Sequence, residues 1–184
     1  MKKAIWSKVL LEETDTATAT LFNECIEDLI NNEMVKELDI YSQHIGTSRL
    51  QHSINVAYYS FIACRRLNLD YRSAARAGIL HDLYLYDWRD PESPRGYHAA
   101  LHPIEALKNA EKITQLNKIE KDAIVKHMWP MTIIPPRYAE SHIVSLVDKY
   151  CACAEVIDRM AYNFHCKTVL IKGIAAGGEY KKYT

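Results

Sequence analysis

The sequence predicts an all-α protein. Apolar residues recur at intervals of three and four residues in one segment after another, which is the spacing of a single helical face. Residues that cap helices precede several of these segments, including Asp70 and the pair Asn117 and Glu120, which has the spacing of a capping box. No internal repeat, low-complexity block or domain boundary interrupts the 184 residues. We therefore expect one helical domain over residues 1–184, long enough to bury a core.

The first predicted helix follows Thr14, Asp15 and Thr16, which can cap its first turn. Its inner face carries Phe22, Cys25, Ile26, Leu29 and Ile30. Residues 41–48 contain a glycine and small polar side chains, so they predict a loop that ends at a cap from Thr47 or Ser48.

A second helix is predicted from about residue 50 to residue 67, and a short third helix from the cap Asp70 to Leu80. His52 lies in the first turn of the second helix, on a stripe of apolar residues, so its imidazole can point to the interior. Taken alone, a histidine near a helix terminus would more often only form a hydrogen bond.

The third helix ends in the adjacent residues His81 and Asp82. An imidazole nitrogen beside a carboxylate oxygen suits iron, manganese, cobalt, nickel or zinc. Because two neighbouring residues cannot fill a coordination sphere, further ligands would have to come from other helices. The candidates are His52, His98, His102, His127 and Asp148.

Residues 83–96 carry two prolines, a glycine and many side chains that can stack or hydrogen-bond, so they form either a functional loop or an ordinary polar connection. His98 and His102 are four residues apart, and Pro103 suits the first turn of the next helix. A further helix opens at the capping box and carries His127 on its buried face, where an imidazole needs a polar partner.

The last predicted helix has apolar residues at near-ideal spacing after a proline-containing loop at 128–136. Asp148 lies about 100° from Val147, at the edge of the inner face. Taken singly, it could be an ordinary surface carboxylate. Residues 167–184, rich in glycine, lysine and tyrosine, predict a short extended segment or a flexible end.

The composition limits the partners. Lysine and arginine together number 23 and so do aspartate and glutamate, so there is no electrostatic footprint for a nucleic acid duplex or an anionic membrane. Five cysteines without CxxC spacing favour reduced thiols in a cytoplasmic protein. No segment is apolar enough for a signal peptide or a membrane span. A formal charge of zero is compatible with a homo-oligomer.

His52, His81 with Asp82, and Asp148 resemble the H…HD…D signature of the HD superfamily, an all-helical family of metal-dependent phosphohydrolases. The resemblance covers about residues 48–158, with an N-terminal helix and a C-terminal tail appended. It implies that the fold is an HD-domain helical bundle.

One subset of that superfamily has two more histidines between the HD pair and the last aspartate, and holds a second metal. His102 followed by Pro103, and His127 after Val125 and Lys126, are similar to those two elements. The ligand set that this resemblance implies is His52, His81, Asp82, His102, His127 and Asp148. It also implies two divalent or mixed-valent transition metal ions per chain, with iron or manganese favoured over cobalt, nickel, zinc or magnesium.

In the two-metal form Asp82 would bridge both ions, and Asp82 and His81 are the predicted catalytic residues. The chain is similar in length and ligand set to bacterial diadenosine tetraphosphate hydrolases. It is less similar to the cyclic-di-GMP phosphodiesterases, which have a lysine where this chain has Leu85 and paired histidines where Met128 follows His127. The resemblance therefore implies hydrolysis of a phosphate ester or anhydride, in a nucleotide or dinucleoside polyphosphate, by a metal-activated hydroxide.

Side chains around the metals would have to choose the substrate. Arg49, Arg89, Arg95 and Arg137 are candidates to pair with phosphate oxygens. Four aromatic side chains could stack on a base, namely Tyr84, Tyr86, Trp88 and Trp129. His98 could replace His102 as a ligand, support a ligand from behind, or bind phosphate.

Two rival hypotheses remain at this stage. One is a regulatory HD module that binds metal and nucleotide without turnover, for which Leu85 is the best support. The other is a helical scaffold whose histidines are only structural.

Overall fold

The chain folds as a bundle of helices, as predicted. The computed structural model describes residues 16–44, 47–91 and 97–175, with side chains described for 17–43, 47–91 and 97–157. The elements within these ranges are α1 (Thr16–Ile30), α2 (Glu33–Glu37), β1 (Ser42–His44), β2 (Thr47–Ser48), α3 (Arg49–Arg66), α4 (Tyr71–Leu80), α5 (His98–Ile113), α6 (Lys118–Lys126) and α7 (Ala139–Ala175). Thr14, Asp15, Arg95 and the side chain of Cys166 lie outside the described residues.

Several predicted helix boundaries are confirmed by their caps. The side chain of Ser48 accepts a hydrogen bond from the Gln51 amide at the start of α3, and Asp70 does the same for Ser73 in α4. Asn117 and Glu120 form the capping box that opens α6. These polar side chains satisfy amides that a helix start otherwise leaves without partners.

Other local predictions were wrong. Residues 41–48 contain the antiparallel ribbon of β1 and β2, and the five-residue α2 was not expected because it is too short to show a period. Helix α5 begins at His98 without a side-chain cap, so Pro103 lies in its second turn rather than its first. Helix α7 continues to Ala175, which replaces the extended segment predicted from residue 167; residues 176–184 are outside the description.

The central packing is between α3 and α4, with α1, α6 and α7 around them. Small residues make this close approach possible: Ala74, Ala75, Ala77 and Gly78 are all buried on α4. A Cβ on Gly78 would lie 2.6 Å from the backbone nitrogen of Ala57 in α3, and closer still to its Cα. The close contact brings the start of α3 beside the end of α4, where His52 and His81 lie.

The cysteines of the described residues do not form disulfides. Cys25, Cys64 and Cys151 are buried, Cys153 is exposed, and all four are free thiols. Among the residues described, none of the helices combines the length and apolar composition that crossing a membrane requires.

Replacing Gly78 with alanine should lower the free energy of unfolding by about 2 kcal/mol or more, because the added methyl group meets the backbone of α3 and cannot be relieved by a rotamer change. Urea denaturation measures the effect. The matched control is Ala100→Gly at an exposed position of α5, which should cost only about 0.5–1 kcal/mol through helix propensity. A Gly78→Ala variant as stable as the parent would contradict this account of the α3–α4 contact.

Candidate metal centre

The structure brings together all six residues that the resemblance implied as metal ligands. They come from separate elements: the first turn of α3, the end of α4, the second turn of α5, the end of α6 and the middle of α7. In chain order they are His52, His81, Asp82, His102, His127 and Asp148. The four imidazoles and Asp82 are buried, and Asp148 is half-buried.

Three of the imidazoles are held by backbone carbonyl oxygens through their Nδ1 atoms. His81 Nδ1 lies 2.9 Å from the oxygen of Gly78, His102 Nδ1 lies 2.8 Å from that of His98, and His127 Nδ1 lies 2.8 Å from that of Ile124. His81 and His127 directly follow α4 and α6, where terminal carbonyl groups have no helical partner. A carbonyl oxygen only accepts, so each Nδ1 carries the proton.

The proton on Nδ1 leaves a lone pair on Nε2, and these Nε2 atoms converge on Asp82. His102 Nε2 lies 3.2 Å from Asp82 Oδ1, and His127 Nε2 lies 3.6 Å from the same oxygen. His81 Nε2 lies 3.5 Å from the other oxygen, Oδ2, and 3.6 Å from Asp148 Oδ1. Oδ1 of Asp82 therefore faces His102 and His127, whereas Oδ2 faces His81.

His52 is held differently, between two carboxylates. Its Nε2 lies 3.0 Å from Asp148 Oδ1, and its Nδ1 lies 3.0 and 3.1 Å from the two oxygens of Glu155. Glu155 was not predicted from the sequence as a site residue. The available signal was its position seven residues after Asp148, which places both carboxylates on the same face of α7, two turns apart.

The donor set fits transition metal ions. Two overlapping groups have ligand atoms within 4.8 Å of one another, namely His52, His81 and Asp148, and His81, Asp82 and His127. In the described residues, His81 Nε2 and Asp82 Oδ1 are buried without a hydrogen-bond partner, which is a costly state for polar atoms. His102 Nε2 and His127 Nε2 lie 2.8 Å apart, and with both Nδ1 atoms protonated their lone pairs repel. Cations with nitrogen and oxygen ligands would satisfy all of these atoms.

The electrostatics separate the histidines into two kinds. Burial lowers the pKa of His52, but its bonds to Asp148 and Glu155 outweigh burial and raise the pKa to about 10. Burial together with His81 and His102 lowers the pKa of His127 to about 3. Burial raises the pKa of the Asp82 and Asp148 carboxyls, yet the surrounding imidazoles outweigh it and hold both well below the usual range.

Arg49 does not lie where a substrate could reach it, which corrects the prediction that it binds phosphate. It is completely buried and donates to the carbonyl oxygens of Tyr84 at 2.5 Å and Tyr86 at 3.2 Å. Its Nε donates to Gln43 Oε1 at 3.0 Å, and Gln43 Nε2 in turn donates to Asp82 Oδ2. Arg49 therefore orients the amide that supports the HD aspartate.

A cavity of about 440 Å³ opens beside the centre. Four of the candidate ligands form one end, and two cations, Arg89 and Lys149, also line the wall. The remaining lining residues are mostly aromatic or apolar: Gln43, Tyr84, Trp88, His98, Met128, Met131, Ala152 and Val156. The sequence analysis did not select Lys149, whose Nζ lies 3.2 Å from Asp148 Oδ2 and donates to the His127 carbonyl oxygen.

Of the predicted substrate-binding residues, His98 and Arg89 line this cavity. The His98 ring stacks on Trp88 at 5.5 Å and on His102 at 4.5 Å, and burial together with His102 lowers its pKa to about 4. Neither His98 nor His102 belongs to the two groups of converging ligand atoms, but His102 Nε2 lies 3.2 Å from Asp82 Oδ1 and 2.8 Å from His127 Nε2.

Arg137 and Trp129 are not among the residues that line this cavity, so their assignment to substrate binding stays a prediction. Arg137 is exposed, and its backbone amide donates to Asp122. Trp129 packs edge-on against His142 at 5.6 Å. Both residues follow His127 in sequence, but the chain turns their side chains away from the centre.

The comparisons with known proteins agree with this geometry. The model of a family described as HD domain matches residues 49–153, which is more than half of the chain and includes every candidate ligand. Glu155 lies just beyond the matched segment. No curated protein and no solved structure gives a significant match.

Chelator-treated protein should be most stable close to pH 6.5. Below that pH, unfolded His98 and His127 take up protons that the folded protein accepts only at about pH 4 and about pH 3, so acid favours unfolding. Above it, unfolded His52 has lost a proton that the folded protein retains to about pH 10, so that stabilisation is lost as the pH rises. Urea denaturation across this range measures both limbs.

The His127→Gln variant serves as the control, because it should reduce the acid limb to the contribution of His98 and leave the alkaline limb in place. A stability that stays constant between about pH 4.5 and about pH 9 in the metal-free parent would contradict the assigned protonation states.

Proposed function

This chain belongs to the HD domain family, and from that premise we propose that it is a phosphohydrolase with two transition metal ions, acting on a small phosphorylated substrate such as a nucleotide. The observation that carries the proposal is the convergence of four imidazoles and two carboxylates beside an open cavity, with His81 Nε2 and Asp82 Oδ1 buried and unpaired. A structural histidine cluster would satisfy these atoms internally.

The geometry supports two ions rather than one. Asp82 presents Oδ1 to His102 and His127, and Oδ2 to His81, so a single carboxylate can serve both sides of the cluster. We assign His52, His81, Asp82 and Asp148 to one ion, and Asp82, His102 and His127 to the other. When bound, such a pair supplies Lewis acidity to a phosphate and a water of lowered pKa.

The remaining residues of the cavity would recognise the substrate. Lys149 and Arg89 are the cations in the described part of its wall, and they would balance phosphate charge that the ligand set does not. Trp88 and His98 offer stacked aromatic rings inclined at 24° to each other, and the Arg89 guanidinium lies over the Trp88 ring at 4.8 Å. Iron or manganese suits the mixed nitrogen and oxygen donors, with cobalt, nickel, zinc or magnesium as alternatives.

The size of the cavity bears on which nucleotides would fit. A volume of about 440 Å³ is in the range that encloses one small ligand. A mononucleotide would be largely enclosed. A dinucleoside polyphosphate, the substrate of the diadenosine tetraphosphate hydrolases that the sequence resembles, would extend through the open side.

The regulatory alternative depended on Leu85, which stands where the cyclic-di-GMP phosphodiesterases have a lysine. In the structure Leu85 packs against the core and is not among the residues that line the cavity beside Asp82. The leucine at this position therefore does not remove a positive charge from the cavity wall. Lys149 supplies a positive charge there from α7.

Asp82→Asn should reduce the hydrolysis of nucleotides by about 10³-fold, because an amide cannot serve two cations and several kcal/mol of transition-state stabilisation would be lost. Phosphate release is measured over a panel of nucleoside mono-, di- and triphosphates and dinucleoside polyphosphates, with manganese or iron supplied. Glu27→Gln, which neutralises an exposed carboxylate of α1, is the matched control and should retain full activity.

Two results would count against this function. Tight nucleotide binding by the parent without any product would select the regulatory module. Activity that survives in Asp82→Asn would show that the reaction takes place elsewhere.

A further inference from the structure

The four histidines of the centre differ in what holds their Nδ1 atoms. His81, His102 and His127 are held by backbone carbonyl oxygens, whereas His52 is held by the side chain of Glu155. We propose that Glu155 is a positioning residue that fixes His52 for one ion, the one assigned to His52, His81 and Asp148, and leaves the other ion unaffected. This inference rests on the proposed ligand set, and it goes beyond it by assigning a separate residue to one of the two ions.

Glu155 is itself held in place. It is 2% exposed, and its Oε1 accepts a hydrogen bond of 3.0 Å from Asn55 Nδ2 as well as lying 3.0 Å from His52 Nδ1. Gln51 Nε2 donates to Asn55 Oδ1 at 3.0 Å, which sets the direction in which the Asn55 amide points. The carboxylate is therefore an acceptor of two donors from α3, in a fixed orientation.

Two carboxylates of α7 contact the His52 ring, one at each nitrogen atom. Asp148 lies against Nε2 and Glu155 against Nδ1, and seven residues separate the two carboxylates on one helical face. With its Nδ1 proton donated to Glu155, His52 presents Nε2 to the position that it shares with Asp148. A carboxylate acceptor also makes the imidazole a stronger ligand than a carbonyl acceptor does, because it is charged.

The affinity of the ion assigned to His52, His81 and Asp148 should therefore depend on the side chain of Glu155. No substitution can remove the carbonyl oxygens that hold His81, His102 and His127. Of the four histidines, only His52 is loosened when the charge of Glu155 is removed, and His52 does not share a group of converging ligand atoms with His127. The alternative is that Glu155 only satisfies buried polar groups of the core, in which case its loss would weaken the whole centre and the fold together.

The test is metal titration of Glu155→Gln, followed by calorimetry and by competition with a chelator, using manganese or zinc. We expect one class of site to bind about 10–100-fold more weakly and the other class to keep the affinity of the parent. The matched control is Glu140→Gln: Glu140 is a buried glutamate of the same helix that accepts a hydrogen bond from the Asp70 amide at 3.1 Å, away from the centre. This variant should bind both ions normally.

A second readout can be decided on the parent protein first. Nitrogen-15 NMR of the histidine rings in the zinc-loaded parent should show His52 protonated at Nδ1 and coordinated at Nε2, and Glu155→Gln should shift the Nδ1–H signal of His52 alone. A His52 ring that is unprotonated at Nδ1 overturns the inference even if the variant fails to fold.

The remaining outcomes also decide the matter. Unchanged affinities in Glu155→Gln, or an equal loss at both classes of site, overturn the role of Glu155 while leaving the proposed function intact. If the parent binds no metal at all, the proposed function fails and this inference fails with it.

Discussion

The centre depends on where the histidines carry their protons. Carbonyl oxygens at the ends of α4 and α6 and at the start of α5 accept the Nδ1 protons of His81, His127 and His102, so the Nε2 lone pairs must face inward. Brought together without a cation, these lone pairs would repel, and the two carboxylates among them would remain only partly satisfied. The hydrogen bonds from Nδ1 to these carbonyl oxygens thus create a site whose inward-facing atoms are best satisfied by a cation.

The helical packing supplies the other constraint. Buried alanines and Gly78 on α4 allow α3 to lie against it at backbone contact, which places His52 beside the HD pair. Helix α7 then packs against α3 and contributes Asp148 and Lys149 from one turn and Glu155 from two turns further on. Arg49, at the start of α3, joins the ribbon to the segment after the HD pair through Gln43, Tyr84 and Tyr86. The bundle therefore fixes the ligands, while the ribbon and the segment after α4 contribute to the cavity wall.

The helices could be predicted from the sequence because their caps are local signals, and the candidate ligands followed from the resemblance to the H…HD…D signature. Caps such as Asp70 and Asn117 mark helix starts, and His81 with Asp82 is a recognisable pair. Residues that act only across the fold left no such signal. Arg49 looks like any surface arginine until its burial under Tyr84 is seen, and Glu155 gains its meaning from His52, which lies 103 residues earlier. Short elements such as α2 and the ribbon were not predicted because they contain too few residues to show a helical or strand period.

The measurement that tests the central claim most directly is anomalous X-ray scattering from crystals of the protein loaded with manganese. Two peaks about 3.5 to 4 Å apart are expected, one beside His52, His81 and Asp148 and the other beside His102 and His127, with Asp82 between them. A single peak on the Asp148 side would leave His102 and His127 without a role as ligands. The absence of any peak among these six residues in fully loaded protein would contradict the account.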